Sequence, residues 1–237
     1  MVLQSQRDSF ILALSGLFLF AMVYFLDPQF VGSITREDGI LENMTALLFA
    51  GGMFASLYAL YHKKMMLMAG LWAFLCLFFL GEEVSWFQRV FDYSVPFVEQ
   101  NSTQGEFNLH NLNIINEGRV LNEDGTLEFS MFSLVGSQNM FRLGFAGFFL
   151  GLPLASLIPA FKRLLDRTGY VRPTGAFLFA AWSVIFVSFV LAFITEAPVK
   201  NYVAETREFF YATVIFIYTL SLSAGVDKKV VVVAPAE

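Results

Sequence analysis

The chain predicts an all-α polytopic membrane protein: a bundle of about six transmembrane helices, both termini inside, with a small outer cap containing a short helix and a β-hairpin. Three observations carry that fold class. Of 237 residues, 57% are hydrophobic and 15% charged, against roughly 45–50% and about 25% in water-soluble domains. The apolar residues, with a mean hydropathy of +0.62, gather into runs close to the roughly 20 residues needed to cross hydrocarbon. The basic residues fall in alternate connections, as they do when lysine and arginine are held on the cytoplasmic side.

The first run, Phe10 to Leu26, follows a short polar start with Arg7 and leaves through FLDPQF. That exit lacks the small residues of a signal-peptidase site, so the run reads as a retained span. The second span covers about Ile40 to Tyr61. Thr35 and Asp38 before it resemble a helix start, and Gly52 with Ser56 has the small-xxx-small spacing that lets helices approach closely. The third runs from Met65 to about Phe91. Its first sixteen residues, Met65 to Leu80, are uncharged, and GEEVSWFQRVF follows.

Residues 92–138 form the one sizeable connection, read as an extracytoplasmic cap. Thr103 to Asn116 has a short helix's apolar side in Phe107, Leu109, Leu112 and Ile115, and Asp124-Gly125 between alternating residues signals a hairpin. The fourth span, about Met140 to Ile158, carries Gly147 and Gly151 at small-xxx-small spacing and Pro153 and Pro159 as kinks. Lys162 to Arg167 reads as a basic extension at the headgroups. The fifth span covers Gly175 to Thr195 and the sixth Phe209 to Gly225.

The N-terminus, the 62–64 turn, the 162–174 loop and the tail hold nine of the fifteen basic residues with four acids, and the remaining segments hold six basic and sixteen acidic residues. The first set is therefore placed inside. Glu42, Glu82, Glu83, Glu106, Glu196, Glu205 and Glu208 then fall at outer helix ends or in outer loops, together with Arg89, His110, Arg142 and Arg207. A polar cluster on an apolar helix is costly, which makes these residues site candidates.

On a continuous helix Glu82, Ser85, Trp86 and Arg89 share a face, with Glu82 and Arg89 about 10 Å apart along the axis. Glu82 or Glu83 suits general acid/base work or cation ligation, and Arg89 suits an anionic group. The alternative is a structural ion-pair network at the interface. Glu106 and His110, four apart, suit a shared proton or a divalent metal completed by Glu82. Alternatively, Thr103 and Glu106 form a capping box and His110 only hydrogen-bonds. Secondary candidates are Glu42 in the first turn of the second span, where an acid complements the helix dipole, and Glu205 and Glu208 three residues apart.

One cysteine, Cys76, excludes a disulfide within the chain, and two histidines exclude a His-rich metal cage. No P-loop, Gly-rich dinucleotide turn, nucleophile elbow or zincin motif occurs, and nothing points to nucleic acid.

EEVSWFQR (Glu82 to Arg89) and NSTQGEFNLHNL (Asn101 to Leu112) resemble a group of uncharacterised bacterial multi-pass membrane proteins with the patterns EExSWxQR and NxQxExNLHN. Phe87 stands at the open position after Trp86, where the resemblance leads glycine to be expected. The resemblance implies a bacterial inner membrane and singles out Glu82, Glu83, Arg89, Glu106 and His110 without implying a reaction. Three functions fit these residues. The first is a membrane-embedded enzyme acting on a lipid or lipid-linked substrate at the outer leaflet. The second is an accessory subunit that binds membrane-protein partners. The third is a cation- or proton-coupled transporter, for which the inner halves of the spans offer little beyond Ser15, Ser56 and Ser188.

Overall fold

Long uninterrupted apolar runs have one way to satisfy their backbone N–H and C=O groups locally, and the chain takes it: helices dominate. The computed structural model describes residues 6–36, 39–62, 66–96, 98, 102, 107–108, 119–121, 127–129 and 137–230. In order these form α1 (Gln6–Phe25), α2 (Pro28–Thr35), α3 (Ile40–Tyr61) and α4 (Met66–Glu83), then a 3-10 turn (Ser85–Phe87) and α5 (Gln88–Phe91). Strands β1 (Arg119–Leu121) and β2 (Leu127–Phe129) follow. The remainder is α6 (Ser137–Ala146), a π-helical segment (Gly147–Gly151), α7 (Leu152–Ala155), α8 (Pro159–Thr168), α9 (Gly175–Ile194) and α10 (Val199–Val230). Among the described residues, two stretches are long and apolar enough to cross a membrane, Pro28–Tyr61 and Gly175–Ile194. Ser9–Phe25 and Asn139–Ala155 are shorter apolar helices.

The chain divides into two compact units, Met1–Leu77 with Ala155–Glu237, and Phe78–Leu154. In the first, α10 packs against α3, α1, α9 and α2, and α1 packs along α9. Small residues set these approaches. A Cβ added at Gly16 of α1 would lie 2.7 Å from both Phe210 of α10 and Val184 of α9, so three helices meet there. Gly52 of α3 leaves room for Cys76 and Thr219, whose nearest atoms would be 3.0 and 3.2 Å from an added Cβ. Gly32 of α2 does the same for the Tyr202 hydroxyl, at 2.7 Å. Trp72 of α4 lies against Tyr218 of α10, ring centroids 5.5 Å apart.

The large apolar side chains that are not needed for this packing point outward. On α9 the buried face holds Phe177, Ala180, Ala181, Val184, Ile185 and Ser188. Phe179, Phe186 and Phe193, seven residues apart, stand outside, Phe179 at 77% and Phe193 at 90% exposure. On α3 the inside is Thr45, Ala46, Phe49, Gly52, Ser56 and Ala59, with Leu47, Phe54 and Tyr61 outside. Both faces are therefore apolar, unlike the amphipathic helix of a water-soluble domain, which turns an apolar stripe to the core and a polar face outward.

Several sequence expectations need correction. The third span is not one helix to Phe91: α4 stops at Glu83 and the backbone turns through left-handed geometry at Ser85, Trp86 and Phe87. Thr35 does not open α3. It closes α2, its hydroxyl donating to the Val31 carbonyl at 2.9 Å, and Gly39 caps α3. Helix α2, unforeseen, is set by Asp27, whose carboxylate accepts from Phe30 N–H at 3.0 Å, and by Pro28 at its first position. Helix α10 begins at Val199, so Glu205, Arg207 and Glu208 lie inside it rather than before it.

In the second unit, Gly147 and Gly151 do not mark a close helix approach, since an added Cβ at Gly147 meets nothing within 4 Å. They bound the π-helical segment that precedes Pro153. Proline supplies no N–H and crowds the preceding turn, and a widened turn relieves both defects. Phe141, Phe145 and Phe149 form a ring series along this rod, at 6.3 and 4.6 Å, and Phe79 of α4 meets Phe141 edge-on at 5.2 Å. The strands pair antiparallel, Arg119 opposite Phe129 and Leu121 opposite Leu127. Asp124 and Gly125, like most of Thr103 to Asn116, lie outside the described residues.

Replacing Gly16 by Leu is expected to lower stability by about 1–3 kcal/mol or more through overpacking. Gly70→Ala, where an added Cβ meets nothing within 4 Å, should be neutral or gain up to about 1 kcal/mol. Thermal unfolding of both variants in the same detergent checks the contrast.

Candidate functional site

The polar sequence after Leu80 folds into a knotted turn at the end of α4, within the second unit. Ser85, Trp86 and Phe87 take φ values of 48°, 50° and 64°, and Asp92 takes 46°. None is glycine, so each costs roughly 1–2 kcal/mol relative to ordinary backbone. Such a turn persists only where surrounding contacts over-determine it.

Those contacts come from the motif itself. The Trp86 indole Nε1–H donates to Glu82 Oε1 at 2.8 Å. The ring lies over Gly81, where an added Cβ would come within 2.8 Å of its atoms, and it meets Phe78 edge-on at 5.9 Å. Glycine at 81 is thus the condition for the indole's position. The Tyr93 hydroxyl donates to the Trp86 carbonyl at 3.0 Å, and Phe107 N–H donates to Gln88 Oε1 at 2.7 Å.

Ser85 and Asn108, both buried, meet at 3.2 Å. The amide orientation that satisfies both of its ends has the Ser85 hydroxyl donating to the Asn108 oxygen. The Asn108 NH₂ then donates to the carbonyls of Glu82 at 3.1 Å and Phe107 at 3.0 Å. Segment 107–108 is thereby stitched to the end of α4.

Glu82 is only 9% exposed, and Glu83 beside it is half-buried. The helix break removes the shared face expected for Glu82, Ser85, Trp86 and Arg89. Glu82 and Trp86 still meet, but through the left-handed turn, and Arg89 follows in α5. Glu106 and His110 lie outside the described residues, and among those described no three His, Cys, Asp or Glu side chains are grouped to hold a metal ion. The proposed metal set of Glu82, Glu106 and His110 therefore has one described member. Arg142 of α6 donates to Asn139 Oδ1 at 3.4 Å.

The secondary candidates belong to the first unit. Glu42 is half-buried in the first turn of α3; on α10 Glu205 is exposed and Glu208 half-buried. Between them lies Arg207, 5% exposed, its guanidinium carbon 4.4 Å from the centre of the Phe189 ring of α9. Sequence reasoning treated Arg207 as one more charge near a helix end. Its neighbours Val203, Phe210 and Tyr211, three or four residues away and all buried, carry the spacing that puts it on the inner face. Gly81 and Asn108 were not among the candidates, and Ser85 entered only as a neighbour of Glu82 on a helix face; their roles depend on contacts that sequence distance does not reveal.

Comparison with protein-family models, with curated proteins and with solved structures found no match.

Glu82→Gln, which can still accept from the indole, is expected to change stability by less than about 1 kcal/mol. Glu82→Ala leaves the half-buried indole N–H without this acceptor and should cost about 1 kcal/mol or more. Thermal unfolding measures both, with Trp86→Phe as the background in which the difference between the two variants should shrink.

Proposed function

We propose that the chain is a multi-pass protein of the bacterial inner membrane, with about six spans and both termini inside, that works as an enzyme on a lipid or lipid-linked substrate at the outer leaflet. The outward-facing phenylalanines of α9 and the outward apolar side chains of α3 support the membrane reading, because hydrocarbon is the solvent in which that arrangement costs nothing. Six helical segments, namely α1, α3, α4, the rod from α6 to α7, α9 and α10, correspond to the six apolar runs. The distribution of lysine and arginine supports the orientation.

The observation that carries the enzymatic reading is the Glu82 carboxylate, buried and fixed by the Trp86 indole at the head of three consecutive left-handed residues. Strain of that kind concentrates at sites where geometry serves chemistry, and a positioned carboxylate can take or give a proton. In this reading Glu82, with Glu83 beside it, moves the proton, Arg89 binds a phosphate or carboxylate of the substrate, and His110 relays. A divalent metal on Glu82, Glu106 and His110 is the variant of this reading in which a Lewis acid replaces the proton.

One observation favours the accessory-subunit reading. Ser85, Gln88 and Tyr93 spend their hydrogen bonds inside the turn, as a lock that fastens segment 107–108 would. Transport gains no such support, since Thr45, Ser188 and Thr219 return their hydroxyl hydrogen bonds to their own helices.

Lipid extracts of cells expressing wild type and Glu82→Gln decide between the first two. The enzymatic reading expects a lipid class to rise or fall with wild type only, while Glu82→Gln protein is made in equal amount. Identical lipid profiles, with defined partner chains co-purifying with both proteins, would sink it in favour of the accessory subunit.

A further inference from the structure

Helix α8 reads PAFKRLLDRT, and helical geometry sorts it cleanly. Phe161, Leu164, Leu165 and Thr168 fall within one narrow arc, and Lys162, Arg163, Asp166 and Arg167 fall on the opposite side. None of its residues is buried in the protein: Phe161 and Leu164 are about half exposed, as are Leu157 and Ile158 just before it. The helix therefore shows its apolar side to the surroundings and its cations to the other.

Its position is fixed at the C-terminal end. Gly169 takes φ 78°, Tyr170 N–H donates back to the Leu165 carbonyl at 3.2 Å, and Thr168 Oγ1 donates to the same carbonyl at 2.7 Å. This closes the helix and turns Tyr170 inward, where it is buried beside Tyr218 of α10. A ten-residue helix about 15 Å long is thus fixed to the first unit at its C-terminal end, where Leu165 and Thr168 are half-buried, while Phe161, Leu164 and the cations stay exposed.

Resting on the membrane reading above, we propose that α8 lies in the interface of a leaflet rich in anionic phospholipid, with Phe161 and Leu164 among the acyl chains and Lys162, Arg163 and Arg167 on headgroup phosphates. A helix with an apolar stripe and a basic face sits at that depth, about 5–10 Å into the headgroup–acyl boundary. The charge balance chooses the lipid. Three cations stand against Asp166 alone on the helix, and exposed Arg172 follows in the loop. Each cation near an anionic surface favours binding roughly fivefold. A second copy of the chain would oppose cations to cations. The helix belongs to the basic, inward set of connections, and the cytoplasmic leaflet is the one that carries the negative surface potential.

The full chain in nanodiscs of phosphatidylcholine and phosphatidylglycerol tests this with bimane placed on Leu164→Cys or on Asp166→Cys. The only native thiol, Cys76, is buried. The expected result is quenching at Leu164→Cys by lipid-borne nitroxide with shielding from aqueous iodide, and the reverse at Asp166→Cys. The triple change Lys162→Glu, Arg163→Glu and Arg167→Glu should reduce the preference for phosphatidylglycerol by about a hundredfold.

Iodide quenching at Leu164→Cys equal to that at Asp166→Cys overturns the inference. So does shielding from both quenchers, which a covering protein would give. Equal docking in phosphatidylcholine alone overturns the assignment to anionic lipid. A label on Phe186→Cys of α9 separates the premises. If lipid nitroxide fails to quench it, the membrane reading falls. If it is quenched while Leu164→Cys is not, only the role of α8 falls.

Discussion

Close approach of helix backbones through small residues is the constraint on which the first unit depends. Gly16 lets Phe210 and Val184 reach α1, Gly32 admits the Tyr202 hydroxyl, and Gly52 admits Cys76 and Thr219. Helices whose outer faces are as apolar as their inner ones gain little by hiding apolar area from one another in lipid. Their association then rests on fit, and the smallest residue permits the closest fit. On α9 the same packing keeps Ala180 and Ala181 within while Phe179, Phe186 and Phe193 stand outside.

The second unit is held by a different means. Its ring series and the turn after α4 place aromatic side chains against one another and then secure the turn with hydrogen bonds, some from near neighbours such as Tyr93 and some from segment 107–108, about twenty residues on. Glu82 carries two jobs there: its backbone carbonyl accepts from Asn108 and its carboxylate from Trp86. A residue so engaged ties both segment 107–108 and the Trp86 ring to the end of α4, whichever function the turn serves.

Hydropathy made the helices legible, since α3 spans Ile40–Tyr61 and α9 differs from the expected fifth span only at its last residue. The break after Glu83 was not legible, because Val84 to Phe87 contains neither glycine nor proline, and contacts from Tyr93, Asn108 and Gly81 impose it. The Asp27-Pro28 pair that starts α2 stands in the sequence as an N-cap followed by a helix-starting proline, although FLDPQF draws notice there only for its lack of a signal-peptidase site. Polar candidates were recognisable as residues too costly to be idle. Which of them are buried was not, because exposure of Glu205 and burial of Arg207, two positions apart, depends on where α10 starts and which neighbours it meets. Glu82 kept its partner Trp86 even though the continuous helix assumed for them does not exist.

The π-helical segment settles how Phe141, Phe145 and Phe149 can follow one another. In a regular α-helix a repeat of four overshoots the turn of 3.6 residues, so the third ring of such a series swings well off the line of the first. A stretch with i→i+5 hydrogen bonds advances more slowly around the axis and takes back part of that swing. Phe141 and Phe145 lie in the regular helix before it, 6.3 Å apart, and the step that enters Gly147–Gly151, from Phe145 to Phe149, closes to 4.6 Å, as a phase correction at that point would give.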